Sequence, residues 1–337
     1  MMSKIEWTEQ TWNPIGGCTK VSPGCANCYA VSFAHRHANN PTVGDKYKGL
    51  TVKHSNGKVD WSGKIHLYPE RLEIPLRRKK PTMYFVNSMS DLFHEDVPFE
   101  FIDKVFAVMA ICIEHTFQVL TKRPKRMAEY FSQSGLNERL EEVADVLLVK
   151  TGGLHDALNN VPLPNVWLGV SVENQAAADE RIPLLLQTPA AIRFLSCEPL
   201  LGPVDLRPSW MNPTRQNDNP VSWVICGGES SPNARPMHPD WARGLRDQCK
   251  AANIPFYFKQ WGEWGVNEIK ACAFLSKNRS SQLNVVVSET KSEKPIAYYA
   301  YPSKGNDEIG AIETMSRLGK HRAGRTLDGQ THDEYPK

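Results

Sequence analysis

Much is missing from this 337-residue chain. No uninterrupted apolar stretch approaches the roughly 18 residues that a membrane-spanning helix needs, so no membrane partner is expected. The opening MMSKIEWTEQ lacks the apolar core of a secretory signal, and the expectation is a cytoplasmic protein. Absent too are G-x-x-x-x-G-K-[ST], H-E-x-x-H and G-x-S-x-G, which speaks against a P-loop nucleotidase, a zincin and an α/β-hydrolase. There is no internal repeat and no low-complexity tract. Neither sign of charge dominates: 40 Lys+Arg against 37 Asp+Glu leave a net charge of +3, which permits an anionic partner without demanding one. Eight cysteines, five of them scattered, do not form the dense framework of a small secreted domain and read as reduced thiols.

The other three cysteines crowd one stretch, TWNPIGGCTKVSPGCANCYA, as C-x6-C-x2-C at Cys18, Cys25 and Cys28. Thiolates two residues apart can turn toward one soft metal centre, and the loop from Thr19 to Gly24 brings the third around. Pro23-Gly24 favours that turn. The following YAVSFAHRHA has helical character, so the loop lies at a helix N-terminus, where partial positive charge suits thiolates. Structural zinc takes four protein ligands, and His35 or His37 would have to complete a Cys3His site from about two turns inside that helix. An iron–sulfur cube on three thiolates instead leaves one iron open. Three unrelated core cysteines are the third option, poorly suited to a Gly/Pro-rich loop.

Around this loop the sequence has a βα rhythm. Short apolar runs end in polar residues: MYFV in NSMSD, FQVL in TKRP, VWLGV in SVEN, IRFL in SCEP, WVIC in GGES and FYF in KQWG. Such runs suit strands buried on both faces, and helical patterns lie between them, with Asp96 expected to cap one and Pro124 and Pro239 to open two others. With IEWT as a first strand there are about seven units, which predicts an α/β fold, a parallel βα barrel, full or partial TIM-type, with insertions at the rim. An open doubly wound sheet is the alternative. The barrel is expected over 1–264, with insertions at about 40–80 and 134–163. Residues 265–337 read as a C-terminal extension ending in a basic helix, AIETMSRLGKH, and a loosely held tail. The polar tails lie at the carboxyl ends of the strands, where ligand sites collect, and carry Asp91, Lys122, Arg123, Glu173, Glu198, Glu229 and Lys259. Three basic runs, at 77–80, at 122–126 and at Arg317, Lys320, Arg322 and Arg325, read as solvated faces or phosphate contacts.

On these motifs the chain resembles the radical S-adenosylmethionine (SAM) superfamily. FVNSMSDLFHEDVP, QVLTKRP, RFLSCEPLLGP and VICGGESSPNARPM make it more similar to a phage- and prophage-associated family with a three-Cys motif. The resemblance implies a [4Fe–4S] cluster on Cys18, Cys25 and Cys28, with SAM on the fourth iron. An electron then cleaves SAM, and a 5′-deoxyadenosyl radical removes a substrate hydrogen. It departs from the superfamily in its six-residue first spacing and in Asn27 where an aromatic is usual. Gly227-Gly228-Glu229 spells the superfamily's SAM-amino-binding triplet, but after about the sixth strand rather than the second. SAM's ammonium would take Glu229, Glu173 or Asp91, its carboxylate Lys122, Arg123 or Lys259, and its ribose Ser88, Ser90 or Ser171. Trp261 and Trp264 either stack on a base or pack. No catalytic residue is assigned. The partners implied are a nucleotide or nucleic acid substrate, an electron donor and a protein encoded nearby. Two rivals are a zinc-containing nucleic-acid-binding protein without radical chemistry and a barrel hydrolase using Glu173, Glu198 or Glu229.

Overall fold

The computed structural model describes residues 5–151, 158, 160–213, 219–267, 286–288, 296–302 and 309–336. The Gly152-Gly153 loop and Cys272 lie outside them. Seven parallel strands follow one another in sequence order: β1 (Gln10–Trp12), β2 (Met83–Val86), β3 (Thr116–Thr121), β4 (Val166–Ser171), β5 (Ile192–Cys197), β6 (Trp223–Gly227) and β7 (Phe256–Gln260). They form a curled half-barrel, a mixed α/β fold that fits a partial βα barrel. Six of the seven coincide with the apolar runs; the first does not. IEWT is no strand: β1 lies at Gln10–Trp12 and, among the described residues, pairs with β2 alone. Trp7 instead plugs the interior, 2 % exposed.

Side chains alternate across the sheet, as the strand period of two requires. Tyr84, Val86, Val119, Leu168, Leu195, Val224 and Phe258 pack outward against the connecting helices in the main core. Phe85, Phe194, Trp223, Ile225 and Tyr257 turn inward around Trp7, with Leu120 and Trp167 against them, and fill the floor of the half-barrel. Gly169 makes room for this floor, because a Cβ there would lie 2.6 Å from three ring carbons of Phe194. Further along each strand the inner face turns polar: Lys122, Ser171, Ser196, Glu198 and Lys259 continue the same alternation toward the carboxyl ends.

Helices Phe99–Ile111, Leu136–Thr151, Gln175–Gln187 and Pro239–Ala251 cover the outer face. Pro124 and Pro239 stand in the first turn of their helices, where the missing N–H leaves nothing unmet. Asp96 caps nothing: the helix begins at Phe99 with Pro98 before it. In the insertion after α1 (Tyr29–His37), Thr51–Lys53 pairs with Val59–Trp61, and His66–Leu67 pairs with Ile15–Gly16. Beyond β7 a four-stranded antiparallel sheet joins Trp264–Asn267, Ile309–Arg317, Ile296–Pro302 and Val286–Ser288. The expected basic final helix is therefore a strand over Ile309–Arg317, held by ladders on both sides, and only Lys320–Ala323 is helical. Nor is the tail loose. Leu327 is fully buried, Phe258 N–H donates to His332 O at 2.9 Å, and Trp223 Nε1 donates to Glu334 O at 2.8 Å.

Candidate functional site

The cysteine loop lies across the carboxyl mouth of the half-barrel because strand-end charges hold it there. Pro23–Cys25 forms a 3-10 turn, and Cys28 stands immediately before α1. Arg123, just past β3, donates through Nη2 to Thr19 O at 3.3 Å and to Thr19 Oγ1 at 2.7 Å, and its Nη1 lies 3.7 Å from Cys18 Sγ. Past β4, Glu173 accepts from Ser22, and its carboxyl lies against Gly24, where a Cβ would come within 3.2 Å of it. Past β6, Arg235 donates to Pro23 O at 3.0 Å, while Glu229 Oε2 accepts from Asn27 at 3.0 Å. From the insertion, Asp60 accepts from Lys20 at 2.8 Å.

Several residues expected to meet a ligand are thus already committed. Asp91 Oδ1 accepts from Thr121 Oγ1 at 2.7 Å and its Oδ2 from Lys122 N–H at 3.0 Å and Arg123 at 3.3 Å. Glu173, 1 % exposed, is paired with Arg181 at 2.8 Å. Burial raises the Glu173 carboxyl, but the Ser22 hydroxyl and the charges of Arg181 and Lys122 outweigh it and hold it below the usual carboxylate range. Glu229 behaves alike: burial raises it, and Arg235 with Asn27 brings it below. Gly227 and Gly228 precede it because the chain passes close to its neighbours; a Cβ on Gly228 would sit 1.9 Å from Trp261 O. Ser88 Oγ donates to Asn13 Oδ1 at 3.1 Å, Ser90 Oγ donates to Ile15 O at 3.0 Å, and Lys259 donates to both oxygens of Glu198, at 2.8 and 2.9 Å. Lys122 differs. Its ammonium donates to Ser171 Oγ at 2.9 Å, and no carboxylate among the described residues comes within ion-pair distance of it.

The seven described cysteines are free thiols; Cys18, Cys25 and Cys28 are part-buried, the other four buried. Cys28 lies within electrostatic reach of both Cys18 and Cys25. Burial pushes the Cys18 thiol up to about 12, aided by Asp91 and opposed by Arg123. Cys28 is also raised by burial, against which the amides of Ala30 and Val31 and the Lys122 ammonium act. A metal centre would draw off these protons, and the cations and helix amides already face the sulfurs to receive the resulting charge. Among the described residues no group of three or more His, Cys, Asp and Glu is drawn up around a common metal position. The donor set nonetheless suits a thiolate-held iron–sulfur group: three sulfurs with the cations Arg123 and Lys122 near them. His35 Nδ1 lies 3.3 Å from Thr51 Oγ1, His37 stacks on Phe33, and His94 Nε2 is 2.9 Å from Thr19 Oγ1. The two α1 histidines are engaged away from the loop.

A family model described as "Protein of unknown function (DUF5131)" matches residues 2–336. The chain belongs to this family. No curated protein and no solved structure matches it. In this DUF5131 chain the basic runs do not make one phosphate-binding face. Residues 77–80 precede β2 and lie at the amino ends of the strands, opposite the cysteines. Lys122 and Arg123 face the mouth, whereas Arg126 donates to Val97 O at 2.7 Å. Arg317 bonds Ser231 O at 3.2 Å, Lys320 pairs with Glu6 at 3.0 Å, and Arg325 pairs with Asp333. Trp261 and Trp264 pack, each 5 % exposed, with Nε1 on Thr326 O and Ala234 O. Sequence reasoning gave no role to Arg181, Arg235 or His94, although the last two lie inside the quoted motifs FVNSMSDLFHEDVP and VICGGESSPNARPM; their roles become visible through their partners.

Proposed function

We propose that this DUF5131 chain is a radical SAM-type enzyme on a partial βα barrel of the TIM type. In this reading Cys18, Cys25 and Cys28 would hold a [4Fe–4S] cluster, SAM would bind beside it, and the substrate, a nucleotide or nucleic acid, would be held within the half-barrel to give up a hydrogen atom. The observation that carries it is the gathering of three free thiols at the carboxyl mouth of a parallel sheet, with Arg123 and Lys122 facing them and the α1 histidines turned elsewhere. When bound, the cluster supplies one electron, received from an outside donor, to break a carbon–sulfur bond of SAM.

The chain's own residues bind, orient and seal. Lys122, held among the described residues by Ser171 alone, is the cation best placed for a carboxylate or phosphate. Among the described residues Glu229 Oε1 accepts from Arg235 alone, at 2.6 Å, and keeps a lone pair for an ammonium. The floor of Trp7, Phe85, Phe194, Trp223 and Tyr257 keeps water and stray hydrogen donors from below. A cytoplasmic setting belongs to the proposal, since part-exposed thiols persist there in reduced form. So do a reductase and a nearby-encoded partner protein.

Anaerobic reconstitution with iron and sulfide tests the reading. The expected outcome is a brown protein that forms 5′-deoxyadenosine from SAM and dithionite. A colourless protein carrying stoichiometric zinc sinks it in favour of the zinc-containing nucleic-acid binder.

A further inference from the structure

Asn87 is the residue at which β2 leaves the sheet. Its N–H extends the ladder by donating to Trp12 O at 2.8 Å, and its φ of +62° lies in the left-handed region that non-glycine residues seldom occupy. It is buried, 3 % exposed, yet neither Oδ1 nor Nδ2 has a hydrogen-bond partner among the described residues. Both atoms have given up water and received nothing in return, a costly state that ordinarily signals an absent partner. Asn87 directly follows β2, at the carboxyl end of a strand whose Phe85 belongs to the aromatic floor. The next residue links it to the cysteine loop: Ser88 O accepts from the hydroxyl of Tyr29, the neighbour of Cys28, at 2.8 Å. An unmet carboxamide in a left-handed turn, at the carboxyl end of β2 and beside the cysteine loop, is the kind of local conflict that collects at binding sites.

We infer that the Asn87 carboxamide reads the edge of a nucleobase, Oδ1 accepting from an exocyclic amino group and Nδ2 donating to the adjacent ring nitrogen. A carboxamide offers an acceptor and a donor side by side in one plane, and adenine offers the complement at N6 with N7 or N1. A phosphate or carboxylate satisfies only Nδ2, a cation only Oδ1, and an apolar group neither. The inference rests on the SAM-type reading for its setting, though not on radical chemistry. The adenine of SAM and the base of a nucleotide substrate present the same edge, so the two sources are separated by experiment.

The test measures equilibrium binding to the cluster-loaded, full-length protein under anaerobic conditions. One probe pair is S-adenosylhomocysteine and its analogue with unsubstituted purine in place of adenine; the other is AMP and purine riboside 5′-monophosphate. Wild type is expected to prefer the adenine member of one pair by about tenfold or more, because a site built to bond an amino group rejects a ligand lacking it. Preference within the first pair identifies the cofactor as the ligand, within the second the substrate. Asn87→Gly suits a left-handed position and should keep the thermal midpoint, while the preference falls to about one. Retained preference in Asn87→Gly overturns the inference and leaves a turn residue with a bound water. If S-adenosylhomocysteine binds both proteins with no purine discrimination and the nucleotides show none either, this inference alone fails. If wild type binds none of the four probes, the SAM reading falls with it.

Discussion

Arg123 has almost no freedom left. Its Nε donates to both Glu95 oxygens at 3.0 and 2.9 Å, its Nη1 faces Asp91 and Cys18, and its Nη2 holds Thr19. With the side chain 4 % and Asp91 8 % exposed, the pair is buried, and removing one partner strands a charge. Arg123→Met is therefore expected to cost about 3–5 kcal/mol in urea unfolding, with little recovery in Arg123→Lys, whose single ammonium cannot span the acceptors of a planar fork. The thiols divide by surroundings. Cys18→Ser, Cys25→Ser and Cys28→Ser should each lower bound iron after reconstitution, whereas Cys197→Ser and Cys226→Ser, fully buried between sheet and helices, should change stability and leave iron content near wild type. Glu173 and Glu229 give a pH dependence of fixed sign. Their folded carboxyls sit below the unfolded value of about 4.3, so the stabilisation is complete above that value and is lost as pH falls through the lower folded one. Thermal melts from neutral to acid should steepen at the acid end, and Glu173→Gln should flatten that limb. The cysteine spacing pointed to the candidate site by itself, but which strand-end charges hold the loop was illegible, because that depends on partners far apart in sequence. Lys122 and Arg123 are neighbours with opposite fates, and Asn87, though it opens the polar tail NSMSD, was given no role.

Strands β2 to β7 were legible because they are buried on both sides, so inward and outward residues are alike apolar and the runs stand out. β1 was not, since an edge strand of three residues, QTW, needs no such run. The strand Ile309–Arg317 was misread as a helix because a short mixed segment has no decisive period, and pairing with Trp264–Asn267 and Ile296–Pro302 then overrides local preference. The inner face has its own constraint. Ser171 and Lys122 stand above a floor whose height is set by Phe194, and Phe194 reaches across only because residue 169 lacks a Cβ. Gly169→Ala is expected to destabilise by about 1–3 kcal/mol through overpacking, and to lower the near-ultraviolet ellipticity that the packed tryptophans produce. If neither changes, the aromatic floor is not tightly packed.

A parallel sheet that curls without closing leaves two edges, and both chain ends are spent on them. Near the amino end, Glu6 O accepts from Tyr257 Oη at 2.9 Å, so residues 5–8 bridge from β7 toward β1 while Trp7 fills the space between. Near the carboxyl end, the tail lies along the free edge of β7: Asp333 bridges Tyr257, His332 O accepts from Phe258 N–H, and Glu334 accepts from Phe256 N–H at 3.0 Å. Tyr335 then packs on Trp223, ring centroids 5.1 Å apart. The tail supplies the hydrogen bonds that another strand would have made, and it blocks an edge that is otherwise a template for association. Removing residues 325–337 should therefore do two things at once. Loss of Leu327 alone, fully buried, is worth about 2–5 kcal/mol, visible as a lowered thermal midpoint. The uncovered β7 edge should also promote self-association, visible as a concentration-dependent increase in mass by light scattering. Leu327→Ala separates the two effects, since it opens the core while keeping the edge covered: it should lower the midpoint and remain monodisperse. A truncated chain that melts like wild type and does not associate would mean that the tail rests on the half-barrel without completing it.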